Sequence, residues 1–259
     1  MRIITKPEHL RKNQHQSMEK LEIISSDSPF VYLEAYKSLR TNLNFMSLNN
    51  EYKKIVVTSA IPGEGKTSVA INLAISLAEN ASRVLLLDCD LRKPMIQRYL
   101  EINRVITKGI SSVLGGTSKL QESAYHMKNL NIDVMLSGTI PPNPVELLGS
   151  CRMAELLKYL DENYDYVICD TPPAIVTDAA VLSQYCDGTL LVIKQKYSTF
   201  EQVKTAKRNL EAAGTNIIGA ILNQYNAEMD AKKSSGYYYY NNYGYGYGYG
   251  CNNQKQTND

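Results

Sequence analysis

Apolar positions follow two rhythms along this chain. From Ser28-Pro29 they recur at Leu33, Tyr36, Leu39, Leu43 and Met46, near the period of a helix lying on a core. Ser or Asp suits the N-cap of such a helix and Pro its first position. From residue 54 short continuous runs take over: Ile55–Thr58, Val84–Leu87, Val134–Leu136, Val167–Cys169, Leu190–Ile193 and Ile217–Leu222. Helical stretches follow some of them, at Val69–Leu77, Ala179–Tyr185 and Val203–Ala212. Strands apolar on both sides, alternating with helices, predict an α/β fold: a mostly parallel sheet with helices on both faces. The expected organisation is a flexible N-terminal arm over 1–27 and a folded domain over 28–226, opened by a helix over 28–48. A tail over 227–259 completes it. Over 237–250 of that tail glycine alternates with tyrosine and aliphatic residues are missing, a composition that does not repay ordering entropy and predicts disorder.

Composition narrows the function. The chain has 259 residues, 28 Lys and Arg against 26 Asp and Glu, and a formal net charge of +2. That balance argues against a dedicated duplex-DNA binder, and no nucleic-acid partner is expected. No apolar run approaches the ~20 residues needed to span a bilayer, and the first residues lack the apolar core of a signal peptide. Five scattered cysteines without a C-x-x-C pair read as reduced thiols of a cytoplasmic protein. Aromatic usage is skewed: 19 tyrosines, three phenylalanines, no tryptophan. Eight of the tyrosines are crowded near the end, at Tyr237, Tyr238, Tyr239, Tyr240, Tyr243, Tyr245, Tyr247 and Tyr249.

The chemistry sits after the first strand. Ile55–Thr58 runs into Ser59-Ala60-Ile61-Pro62-Gly63-Glu64-Gly65-Lys66-Thr67-Ser68 and then a helix, the setting of a phosphate-binding P-loop. Glycines let backbone N–H groups turn toward phosphate oxygens, and the helix adds its positive end. Residues Pro62 to Ser68 are therefore the candidate ATP-binding loop. Lys66 can reach the β- and γ-phosphates and Thr67 can ligate Mg²⁺. Ala60 stands where the G-x-x-x-x-G-K-[ST] pattern has its first glycine.

Two further strands end in acids, in Leu85-Leu86-Leu87-Asp88-Cys89-Asp90-Leu91-Arg92 and in Val167-Ile168-Cys169-Asp170-Thr171-Pro172-Pro173. Parallel strands open their carboxyl ends on one edge, so Asp88, Asp90 and Asp170 are expected beside Lys66. Asp88 and Asp170 with Thr67 are candidate Mg²⁺ ligands, because this cation prefers oxygen. A phosphoryl acceptor also needs a carboxylate near its proton, and Asp88 and Asp90 are equal candidates for it. Water, a small molecule or a tyrosine would all serve as acceptor. Gln224 to Tyr243 is 19 steps, up to ~65 Å when extended, so a flexible tail reaches its own site or a neighbour's. Beside a phosphoryl-transfer site, eight exposed tyrosines read as acceptors.

A-x-P-x-x-G-K-T at 60–67, L-L-L-D-x-D-x-R at 85–92, V-I-x-D-x-P-P at 167–173 and the tyrosine cluster together resemble the bacterial tyrosine kinases of capsule and exopolysaccharide synthesis. The resemblance implies an ATP-dependent protein-tyrosine kinase that phosphorylates its tail in trans across a ring of subunits. It implies that Arg92, with Lys93, stabilises transition-state charge or binds phosphotyrosine, and that Asn223 contacts the adenine. It assigns a subunit contact to E-x-x-R-x-x-R, here Glu34-Ala-Tyr-Lys37-Ser-Leu-Arg40, with Lys37 lacking the planar fork of arginine. It implies a split kinase, recruited to the inner face of the membrane by a separate transmembrane adaptor. A tyrosine phosphatase and protein substrates of polysaccharide synthesis are the other partners it implies. Rival readings are a partition or cell-division ATPase, whose signature lysine would stand at Ile61, a nucleotide-gated scaffold with a sticky tail, and a small-molecule kinase.

Overall fold

A computed structural model describes residues 23–47, 51–80, 82–103 and 105–226. The eight candidate acceptor tyrosines, and the arm up to residue 22, lie outside them. Helix α1 (Phe30–Met46) precedes β1 (Lys54–Ser59), α2 (Lys66–Ala78) and β2 (Val84–Asp88). Two short helices, α3 (Ile96–Tyr99) and α4 (Ile110–Leu114), lead to the hairpin of β3 (Ala124–Met127) and β4 (Ile132–Met135). Then come α5 (Pro144–Leu148), α6 (Cys151–Asn163), β5 (Tyr166–Asp170), α7 (Asp178–Ser183), β6 (Gly188–Lys194), α8 (Phe200–Ala212) and β7 (Ile217–Asn223).

The seven strands form one sheet in the order β3-β4-β2-β5-β1-β6-β7, parallel except for β3. The α/β, P-loop NTPase-like expectation holds. Alternation along the strands builds two cores. Ile55, Val57, Leu86, Ile168, Leu190 and Val192 face α1 and α2; Val56, Leu85, Leu87, Val167, Cys169 and Leu191 face α6, α7 and α8. Helix α2 is buried almost all round, including the polar Asn72 and Ser76. Helix α1 satisfies both: the Asn72 amide donates to the Tyr32 hydroxyl at 2.8 Å, and Arg40 donates to the Ser76 carbonyl and to Glu79.

Three expectations are corrected, and one element appears that the apolar runs did not announce. The folded chain begins before Ser28: Ile24 is buried and its N–H donates to Asn72 Oδ1 at 3.0 Å, so the last residues of the supposed arm pack on α2. Helix α1 starts at Phe30, one residue later than expected, because Ser28 turns its hydroxyl to the Ser25 N–H. Strand β4 lies two residues earlier than the run at Val134 suggested, drawn there by its hairpin with β3, a strand too short and mixed to show as a run. Helix α6 fills the gap before β5, seating Met153, Leu156, Leu157 and Leu160 at helical spacing in the second core.

Candidate active site

The phosphate loop bridges β1 and α2. Gly63 and Gly65 have φ of +88° and +86°, a conformation that strains any side chain. Ala60 has no such need, being a buried core residue with φ outside that range, so the missing first glycine costs the loop nothing. Two side chains also close over the glycines. A Cβ on Gly63 would meet the Tyr197 hydroxyl, and one on Gly65 the Asn223 amide.

The loop is gripped from outside. Glu64 is fully buried, and its carboxylate accepts from the Ile61 N–H at 2.9 Å, the Ser198 hydroxyl at 2.7 Å and the Lys194 N–H at 3.4 Å. Its carbonyl accepts from Asn223 Nδ2 at 2.8 Å. The Glu64 side chain therefore faces the turn between β6 and α8 and not the phosphates; only its main chain lies in the cradle. Sequence reading missed this brace, because its partners stand 130 or more residues away.

On the inner side the expected acids converge. Lys66 Nζ stands 3.0 Å from Asp90 Oδ2 and 3.5 Å from Asp170 Oδ1. The Thr67 hydroxyl donates to Asp170 Oδ2 at 2.7 Å. Asp88 pairs in register with Asp170 across β2 and β5. Asp90 is also held by the Lys93 N–H at 3.0 Å. Burial works against the Lys66 charge, but Asp170, Asp90 and Asp88 outweigh it and raise the ammonium above its usual range. Burial raises Asp170, although Lys66 and Thr67 oppose the shift. Burial, then Asp170 and Asp90, push Asp88 well above the carboxylate range.

Both oxygens of Asp88 are buried without a hydrogen-bond partner. An orphaned carboxylate, in a cluster of three acids against one lysine, fits a bound divalent cation. Among the described residues no three His, Cys, Asp or Glu side chains form a ready metal cage. Mg²⁺ needs none, since one or two carboxylates suffice and phosphates and water complete its shell.

The remaining candidates are spread out. Arg92 makes a bidentate pair with the fully buried Asp178 of α7, at 2.9 and 3.0 Å. Asn223 reaches the loop from β7. On α1, Glu34 and Lys37 pair with each other at 2.9 Å on an exposed face, whereas Arg40 turns inward to α2. No helix among the described residues is long and apolar enough to cross a membrane.

Comparisons with known proteins bear on the family and the fold. The AAA-domain family matches residues 52–217. The chain is 38% identical over 230 residues to the tyrosine-protein kinase YwqD of Bacillus subtilis, covering 88% of this chain and 95% of that protein. It is 36% identical over 218 residues to the tyrosine-protein kinase Etk of Escherichia coli, covering 83% of this chain but 30% of that longer protein. Among solved structures, it is similar to the kinase domain of Escherichia coli ETK, with a TM-score of 0.72 and 34% identity over 86% of this chain and 89% of that one. It is less similar to the septum site-determining protein MinD of Pyrococcus horikoshii in complex with Mg-ADP: TM-score 0.57 and 27% identity, covering 67% of this chain and 70% of that one.

Proposed function

The chain belongs to the bacterial tyrosine kinases, and we propose that it transfers the γ-phosphoryl group of ATP, in trans, to the tyrosines at 237–249 of a neighbouring copy in a ring. The observation that carries this reading is the convergence of Lys66, Thr67, Asp90 and Asp170 around the unpartnered Asp88. ATP lies with its phosphates against the N–H groups of residues 63–68 and its base toward Asn223. Thr67, Asp88 and Asp170 hold the metal side of the site. When bound, Mg²⁺ neutralises phosphate charge and stabilises the leaving diphosphate.

All three acids are buried, and they divide by their partners. Asp88, sealed and without partners, suits the cation. Asp90 sits past the end of β2 and is held only by Lys66 and a main-chain N–H, so it is the base. When ATP arrives, Lys66 turns from Asp90 to the β- and γ-phosphates and frees that carboxylate. Asp90 then takes the phenol proton. The phenolate oxygen bonds to the γ-phosphorus, and the bond from that phosphorus to the β-phosphate oxygen breaks. ADP departs with the electron pair. Arg92 steadies charge on the transferred group.

By the same reading a transmembrane adaptor recruits the kinase to the inner face of the membrane. A phosphatase resets the tail, and the cycle governs capsular or exopolysaccharide assembly. A partition-type ATPase is the weaker reading: Ile61 stands at its signature lysine, and the likeness to MinD is lower than that to ETK. The test is phosphate mapping by mass spectrometry after incubation with Mg·ATP, beside a Lys66→Met variant. Phosphate on residues 237–249 in the wild type alone is the expected result. Hydrolysis with a bare tail, even with an adaptor fragment present, would refute the reading.

A further inference from the structure

We propose that the loop over residues 137–143, beyond the end of β4, is the seat of the acceptor, holding the tyrosine–glycine segment of a second copy beside Asp90. The proposal rests on the kinase reading above.

Register places this loop. Strands β2 and β4 run parallel and adjacent, with Leu87 opposite Met135. Residues 88–90 and 136–138 therefore leave the sheet side by side at its carboxyl edge. Asn223 and Tyr197 grip the phosphate loop from the opposite flank, through β7 and β6. A nucleotide whose base lies toward Asn223 points its phosphoryl end at the β2–β4 side, so the acceptor must approach there.

The loop is a built surface. At its near end Ile110 N–H donates to the Leu136 carbonyl at 2.8 Å, and Ser111 N–H to the Ser137 carbonyl at 3.0 Å. Two glycines let these backbones touch. A Cβ on Gly109 would collide with the main chain of Leu136 and Gly138, and Gly138 has a φ of +75°. At its far end Pro144 is buried at the start of α5. Between these anchors Ile140 is 57% exposed, with Pro141 and Pro142 beside it. A lone exposed aliphatic residue is ordinary. One held on a proline-stiffened loop that leaves the same sheet edge as the proposed base is a ready platform for an aromatic ring.

Composition names the occupant. Residues 137–143 contain no charged side chain, and neither do residues 237–250, which are tyrosine, asparagine and glycine alone. An uncharged tyrosine segment buries no charge by lying on this uncharged loop, and Ser137, Thr139 and Asn143 offer it polar partners. Gln224, after the last strand, is 13 steps from Tyr237, a reach of up to ~45 Å when extended. That is enough for one copy to deliver its tyrosines to the next.

The test uses full-length chains. A tagged Lys66→Met chain serves as acceptor, and wild-type, Ile140→Asp or Ile140→Leu chains as donor. Transfer is followed at varied acceptor and at varied ATP. The acceptor concentration for half-maximal rate should rise about tenfold in Ile140→Asp and return in Ile140→Leu, with the ATP dependence unmoved. An unchanged acceptor dependence, or a loss shared with the ATP dependence, overturns the docking surface while leaving the kinase. A wild-type donor that leaves every acceptor tyrosine bare overturns both.

Discussion

The side-chain amide of Asn223 donates to the main-chain carbonyl of Glu64 at 2.8 Å, tying the last residue of the sheet's edge strand to the middle of the phosphate loop. The same side chain accepts from the Gln224 N–H at 3.0 Å. Replacing it with alanine frees that carbonyl and opens the space above Gly65. The loss of one such bond is worth about 1 kcal/mol, and the half-saturating ATP concentration should rise about fivefold. A nucleotide titration that matches the wild type would show that the loop does not depend on this tie.

Glu64 should prove structural before it proves catalytic. Glu64→Ala strips an acceptor from Ile61, Ser198 and Lys194 and should cost about 2 kcal/mol, a fall in Tm of roughly 4–8 °C. Glu64→Gln keeps the volume and one acceptor oxygen and should lie between. Thermal melts without nucleotide check this, because a residue that only touched phosphate would leave them unmoved.

Asp88 offers a test of sign. Its carboxyl is held above the ordinary range by burial and by two neighbouring acids. The folded form thus binds a proton more tightly than the unfolded form. Its contribution is present at low pH and is lost as pH rises from about 4 through the raised value. Asp88→Asn should remove that decline. The metal-free variant should then gain about 1 kcal/mol at neutral pH, or ~2–4 °C in Tm, while losing Mg·ATP-dependent transfer. Melting curves of both chains across pH, in chelator, decide it; parallel profiles would contradict the assignment.

The motif on α1 should separate into two roles. Arg40 satisfies a carbonyl in the last turn of α2 and pairs with Glu79, so Arg40→Ala should cost about 1–2 kcal/mol. The exposed pair of Glu34 and Lys37 is worth only ~0.2–0.5 kcal/mol to the monomer, and Lys37→Ala should melt like the wild type. If that pair serves the ring, light scattering will detect smaller particles for Lys37→Ala at an unchanged Tm.

Phosphorylation should open the ring. Each phosphotyrosine adds about −1.5 to −2 charges, and eight add more than ten to a chain of net +2. Fully phosphorylated chains should scatter as smaller species; an unchanged mass would sink the idea.

Much of this was legible in the residues. Five of the expected strands, those at 55, 84, 167, 190 and 217, coincide with β1, β2, β5, β6 and β7 to within two residues at either end. The inner strands β1, β2, β5 and β6 are largely buried and show as unbroken apolar runs, while β7, a part-exposed edge strand, keeps an apolar run of its own. The rest needed geometry. Strand β3 is an edge strand whose Tyr125 and His126 are partly or fully exposed, so it carries no run. Helix α6 was visible in spacing that no strand-centred reading uses. Lys66, Thr67, Asp90 and Asp170 could be placed together because a parallel sheet gathers strand ends on one edge. The brace on Glu64 could not, since nothing in a local motif says which way a side chain turns. The inward turn of Arg40 is equally silent, because Ser76 and Glu79 lie far along the chain.

The pairing of Arg92 with Asp178 bears on how the kinase lets go. A guanidinium paired through Nε and Nη2 with a buried carboxylate has much of its charge already compensated, so it holds an incoming phosphate through its remaining N–H donors less firmly than a free one would. If Arg92 meets the transferred group as proposed, the finished phosphotyrosine would be weakly retained. Where product release sets the pace of an enzyme, such reluctance favours turnover over capture. It suits a site that must visit many tyrosines in quick succession without stalling on the first.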